Sequence, residues 1–126
     1  PPHTLGILCD PDHPVFNGFP TEYHTNWQWW DPVTHSQAMI LDNFPAELKP
    51  LIQPIDTWFE NRRLALAFES LTGGGKLLVC SIDFRDLTEG RKVSKRLFSS
   101  VIDYMNSDNF NPDIDLDSDQ IEELIR

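Results

Sequence analysis

Positive charge is in short supply in this chain. Ten Lys and Arg stand against 20 Asp and Glu, a net charge of −10 over 126 residues. Such a chain is repelled by phosphate backbones and by anionic lipid heads, so neither nucleic acid nor a membrane surface is expected as a partner. Neutral ligands, carbohydrate among them, are not excluded by charge. Long apolar runs are missing as well, and none comes near membrane-spanning length. Cysteine is limited to Cys9 and Cys80, each closing a short apolar run. There is no Cys-x-x-Cys pair, so structural zinc and thioredoxin-like chemistry lack their ligands. Two buried strand thiols are a simpler reading than a disulfide. The chain opens Pro-Pro-His without an initiator Met or a signal-peptide pattern, and it reads as a piece of a longer protein.

What is present suits one domain. Apolar residues make up 40% of the chain, enough for a real core at this length. Short strands are expected at residues 5–9, 37–41 and 51–55, the last weakened by Pro54, and one helical turn at 14–18. Residues 63–70 and 76–82 flank Gly73, Gly74 and Gly75, the pattern of an antiparallel hairpin. Val93, Leu97, Val101 and Tyr104 recur at helical spacing and predict a long helix over 88–105 with Thr88 as its cap. A short helix is expected from about 118 to 125, capped by Asp117 or Ser118. The order is that of an α/β domain, but with too few crossover helices for a whole doubly wound sheet. A partial domain completed by upstream residues would account for it.

Signals for catalysis are thin. A nucleophile elbow needs small residues two before and two after the nucleophile, and Leu8 and Pro11 around Cys9 do not supply them; Ser81 also lacks flanking glycines. Acids near strand ends, Asp10, Asp12, Glu22, Asp31, Asp56 and Asp83, are more often turn formers than paired catalysts. Asn111, Asp113, Asp115, Asp117 and Asp119 alternate like calcium ligands, but Leu116 takes the place of the glycine that a calcium loop requires, so a solvated acidic turn is the expectation. His3, His13, His24 and His35 are scattered. No cofactor and no metal is predicted. Arg91, Lys92, Lys95 and Arg96 crowd the start of the long helix, where the macrodipole disfavours them. They read either as a contact for an anion or acidic partner or, preferably, as a solvated face offset by acids elsewhere.

The densest chemistry lies at residues 19–32. Trp27, Trp29 and Trp30 fall within four positions, with Trp58 further on. An aromatic ring pairs a large apolar face with, in Trp, a polar handle, which suits a core corner, an interface or a sugar-stacking platform. On a strand, Trp27 and Trp29 would share one face and Gln28 and Trp30 the other. Candidate ligand-binding or interface residues are therefore Trp27, Gln28, Trp29, Trp30, Asp56 and Trp58, with Asn26 and Asp31 as further readers of hydroxyls. Core or domain interface is preferred over carbohydrate platform.

Longer motifs carry a family resemblance. These are Gly6-x-Leu8-x-Asp10-x-x-His13-Pro14, Phe19-Pro20-Thr21-Glu22-x-His24-x-Asn26-Trp27-Gln28-Trp29 and Asp56-x-Trp58. Asn61-Arg62-x-Leu64, Gly73-x-Gly75-Lys76 and Tyr104-Met105-x-Ser107-x-x-Phe110-x-Pro112 continue the series. Together they resemble a C-terminal region of bacterial family 2 glycoside hydrolases of the β-galactosidase-like kind, over nearly the whole chain. More distantly, His13-Pro14 and the Gly-x-Gly-Lys segment look like the class I glutamine amidotransferase-like fold, which implies a flavodoxin-like three-layer α/β sandwich. The Gly-x-Cys-x-Gly elbow of amidotransferases and the two glutamate motifs of the hydrolase barrel have no counterpart, so no catalytic residue is carried over.

The resemblance implies one accessory α/β domain over 1–126, non-catalytic, supporting neighbouring domains of a periplasmic or extracellular polysaccharide-degrading hydrolase. Its partners would be those domains and carbohydrate. A self-standing carbohydrate-binding module and a degenerate amidotransferase-like enzyme, its nucleophile upstream, are the alternatives.

Overall fold

A computed structural model describes residues 6–21, 27–56, 62–85, 87 and 89–125. It has mixed α/β architecture: small antiparallel sheets and three α-helices. Strand β1 (Gly6–Leu8) is followed by a 3-10 turn at Pro14–Phe16. A second such turn, Trp27–Trp29, runs into helix α1 (Trp30–Thr34). Strands β2 (Met39–Ile40), β3 (Gln53–Ile55), β4 (Leu64–Ala65), β5 (Ala67–Thr72) and β6 (Gly75–Cys80) come next. A third 3-10 turn, Glu89–Arg91, leads into helix α2 (Lys92–Met105), and helix α3 spans Ser118–Ile125.

The sheet is organised around residues 63–72, one strand bent at Leu66 into β4 and β5. Ala67 pairs with Cys80 on one edge and with Ile52 on the other; Leu71 likewise pairs with Lys76 and with Asp115. β2 joins through Met39 opposite Ala65, and β3 through a bridge from Ile55 to Arg63. β1 then lies outside β3, with Ile7 opposite Pro54. On the side facing the central strand the bridges fall at Ile52 and Ile55 and not at Pro54, so the missing N–H is not called on there. The hairpin β5–β6 closes through Gly73 and Gly74, at φ 60° and 81°. Two successive left-handed residues give the turn whose twist matches the flanking strands, and glycine adopts it without strain.

Two apolar clusters flank this sheet. Leu66, Ala67, Leu78 and Cys80 pack into one, with Leu97, Val101 and Tyr104 of α2 and with Phe16, Phe19 and Trp29. Phe68, Ala65 and Val79 pack into the other, with Met39, Leu41, Leu48, Leu116 and the α3 residues Ile121 and Leu124. Along β6 the residues alternate between clusters, as the two-residue strand period requires. Helices α2 and α3 therefore cover opposite faces of the sheet.

Each expected element has a counterpart, most of them shorter and α3 at its expected bounds, with three departures. The helix predicted to begin at 88 forms from Lys92; Thr88, its expected cap, lies outside the described residues. Residues 27 and 29 lie in a 3-10 turn rather than on a strand, and Pro32, tolerated in the first turn of a helix, follows in α1. The acids of 113–117 are the outward face of an extended segment. The Leu71 amide donates to the Ile114 carbonyl at 2.8 Å, and the Leu116 amide to the Leu71 carbonyl at 2.9 Å. Leu116 is buried while Asp113, Asp115 and Asp117 are exposed. Asp117 caps α3: its amide donates to Oε1 of Gln120 at 3.0 Å, half of a capping box.

Helix α2 meets the N-terminal turns through a buried serine. Ser100 Oγ donates to the Val15 carbonyl at 2.6 Å and accepts from the Gly18 amide at 2.9 Å. A Cβ on Gly18 would stand 3.3 Å from that of Ser100, so the close approach needs small residues at both positions.

Candidate functional site

The tryptophan block divides in two. Trp29 is fully buried, at 0% exposure, edge-on to Phe16 (6.1 Å between ring centres) and to Phe19 (5.2 Å). Its indole Nε1–H donates to Thr21 Oγ1 at 2.9 Å, which satisfies the one polar atom the ring brings inside. Trp30, one position on, turns outward and is 69% exposed. Gln28 straps the block to its surroundings: its Nε2 donates to the Pro20 carbonyl, and its Oε1 accepts from Arg96 Nη2 at 3.1 Å. Arg96 also lies over the Phe19 ring, 5.5 Å from the centroid. Trp27 begins the same 3-10 turn; its side chain, Trp58 and Asn26 lie outside the described residues.

Asp31 belongs to a second grouping, at the start of α2. Its Oδ2 accepts from Arg91 Nε at 2.9 Å and from the Ser94 hydroxyl, and its Oδ1 lies 3.1 Å from His35 Nδ1. Burial works to raise the carboxyl pKa, but the hydrogen bonds from Ser94 and Arg91 and the guanidinium charge outweigh it and hold it below the ordinary value. An anion is thus supplied where cations crowd a helix N-terminus. Two of the four basic residues are internally committed, Arg91 to Asp31 and Arg96 to Gln28 and Phe19. Lys92 and Lys95 form the solvated face.

Asp56 stands apart from the block, at the end of β3. It is 7% exposed and accepts from the backbone amide of Arg62 at 2.9 Å and from its guanidinium at 2.8 and 3.4 Å. That carboxylate fastens β3 to the start of the central strand. Gln28, Trp29 and Trp30 are brought together as consecutive residues, whereas Asp56 is positioned by a different element.

The nucleophiles weighed in the sequence are poorly disposed. Burial pushes the Cys9 thiol up despite a hydrogen bond with Thr21, and pushes Cys80 up to about 11, so both are neutral thiols at pH 7. The Ser81 hydroxyl donates to the Leu66 carbonyl at 3.4 Å, a backbone acceptor rather than a base.

His13 has a pH-dependent role. Its Nδ1 accepts from the Val15 amide at 3.1 Å, capping the first 3-10 turn, and its ring meets Tyr104 edge-on at 5.2 Å. Burial lowers its pKa from 6.5, against the opposing pull of Glu69 and Asp10. The folded state therefore binds this proton less readily than the unfolded chain. The stability contributed is present above pH 6.5 and is lost as pH falls through the lower folded value. Urea unfolding between pH 8 and pH 5 is expected to give falling stability, and His13→Asn, which keeps a capping acceptor but no titration, a flatter profile.

One concavity was not anticipated from sequence. A groove of about 730 Å³ opens between β2, β6 and α3, with Gln37, Asn43, Gln120 and Glu123 on its rim. No motif marks it, since these residues come from separate segments that only the fold brings together.

The chain matches a family model described as Domain of unknown function (DUF8487) over residues 1–126. No curated protein matches it. A match along the whole length makes the chain a member of the DUF8487 family.

Proposed function

We propose that this chain is a non-catalytic C-terminal accessory module of a β-galactosidase-like glycoside hydrolase, working in polysaccharide degradation by supporting neighbouring domains. The parent would act in the periplasm or outside the cell. The motif series running from Gly6 to Pro112 supports the family link. On this reading the flavodoxin-like, glutamine amidotransferase-like three-layer sandwich would be completed by elements outside these residues. The covering of both sheet faces by α2 and α3 is consistent with that layering.

The observation that carries a supporting role is the apolar surface of α2. Phe98, Ile102 and Met105 lie at helical spacing, each at least 36% exposed, and Phe84 packs on Phe98 at 5.0 Å between ring centres. The outer face of the β1–β3 ribbon adds exposed Leu8 and Ile55. Grouped apolar side chains at a surface mark contact sites more often than isolated ones do.

The test compares the isolated chain with a longer protein carrying its neighbouring domains. Phe98→Glu with Ile102→Glu should alter the isolated chain's stability by only about 1 kcal/mol. The same pair should lower the unfolding temperature of the longer protein by clearly more than the ~4 °C that 1 kcal/mol accounts for in a domain of this size. Glycoside turnover by the isolated chain, or no effect of the pair in the longer protein, would overturn the proposal.

One observation favours a second reading. Trp30, exposed at the surface, could stack on a sugar ring as part of a carbohydrate-binding module. Loss of saccharide binding in Trp30→Ala with the fold intact would support it.

A further inference from the structure

The groove between β2, β6 and α3 is built from side chains of a particular kind. Gln37, Asn43 and Gln120 present three carboxamides, and Glu123 adds a carboxylate, while Phe44 and Leu124 furnish apolar wall. A carboxamide donates and accepts at once, so three of them suit a ligand whose groups also do both. Hydroxyls are such groups. Among the described residues lining the groove there is no Lys, Arg or His. An anionic ligand would find no counter-charge there and would meet Glu123. The volume, about 730 Å³, falls within the range of small-molecule sites.

The rim is held in place by contacts that, apart from the Oε1 of Gln120, leave its reading groups available. Arg63 Nη1 and Nη2 donate to the carbonyls of Leu41, Phe44, Pro45 and Leu48 at 2.7–3.1 Å, which fixes the loop carrying Asn43 and Phe44. The Phe44 ring is further braced edge-on by Phe68 at 6.0 Å. On the opposite wall, Gln120 spends its Oε1 on the Asp117 amide at 3.0 Å, which orients the carboxamide and leaves its Nε2–H donors for the groove. The backbone N–H of Gln37 donates to the Ser81 carbonyl at 3.4 Å, which leaves its side-chain carboxamide uncommitted by that bond. A preorganised rim pays less ordering entropy when a ligand arrives.

We propose that this groove binds a neutral polyhydroxylated molecule of mono- or disaccharide size, read by Gln37, Asn43, Gln120 and Glu123 with its C–H face against Phe44 and Leu124. The assignment stands on the lining alone and does not require the apolar face of α2 to be an interface. Titration calorimetry and saturation-transfer NMR should be run on the intact chain with lactose, cellobiose and maltose, and with glucose 6-phosphate as an anionic control.

At least one neutral disaccharide should bind in the millimolar range or better, and glucose 6-phosphate should not. Gln120→Glu keeps the acceptor for the Asp117 amide but removes the donors, and Asn43→Asp makes the equivalent exchange. Each should weaken binding about tenfold, with circular dichroism unchanged. Silence from all three disaccharides at millimolar concentration would overturn the proposal. So would a preference for glucose 6-phosphate, or binding that survives both exchanges. Binding lost in Trp30→Ala but kept in the groove variants would move the site to the tryptophan block and likewise overturn it.

Discussion

Trp29→Ala should cost about 3–5 kcal/mol in a urea titration, the range for removing a large buried aromatic. Two ring contacts go with the indole, and Thr21 loses the Nε1–H bonded to it. Against a total stability of about 5–15 kcal/mol for a domain of ordinary size, that loss leaves a marginal fold. Trp30→Ala, at the next position, should move stability by no more than about 0.5 kcal/mol, because that ring is mostly in water. The contrast separates the two roles that adjacent tryptophans share in the sequence. Equal effects from the two substitutions would mean that the helical placement of residues 27–34 is wrong.

Arg63→Ala should cost about 3 kcal/mol, because carbonyls now meeting a guanidinium would be left to find water. Four backbone oxygens, those of Leu41, Phe44, Pro45 and Leu48, accept from that one side chain, and those of Phe44 and Leu48 do so without the turn amides that Leu41 and Pro45 also receive. The backbone amide of Arg63 donates to Asp42 at 2.8 Å and would survive the change, so the loss isolates the guanidinium itself. Arg63→Lys should recover little. An ammonium is a single point with three donors, and it cannot span a ring of acceptors as a planar fork does. Loosening of the 41–48 loop should show first as accelerated amide exchange at Leu48 and Phe44, whose amides close its turns.

How far these features were legible in sequence depends on whether the signal was local. The β5–β6 hairpin could be read from three glycines between apolar runs, because turn chemistry is set by the residues of the turn. Helix α3 could be read from its cap for the same reason. The acids of 113–117 are solvated as expected, but the extended segment between them was not legible, because alternation has two meanings. Asp-Ile-Asp-Leu-Asp is calcium-like spacing if the acids matter and half a buried strand if Ile114 and Leu116 do. Only the presence of Leu71 alongside decides, and Leu71 lies more than forty positions upstream. Trp27 and Trp29 posed the same ambiguity, though Pro32 just beyond them was a usable sign of a helix start. The groove rim had no sequence sign at all, and neither did the Arg63 clamp, since an arginine before an apolar strand gives no hint that four carbonyls will fold back onto it.

The serine that joins α2 to the first turns also bears on the order of events during folding. Ser100 is separated by 85 residues from Val15 and by 82 from Gly18. Asp31 reaches Arg91 and Ser94 across 60 and 63 residues. The amino-terminal cluster thus has no complete partner surface until α2 has been made, and on a ribosome the first third of the chain must wait for it. Closing loops of that length is an entropic toll exacted before any contact repays it, so refolding should run in milliseconds to seconds rather than microseconds. Until α2 docks, Phe16, Phe19 and Trp29 remain open to whatever else is nearby, and a chaperone that shields apolar nascent segments has its clearest target there.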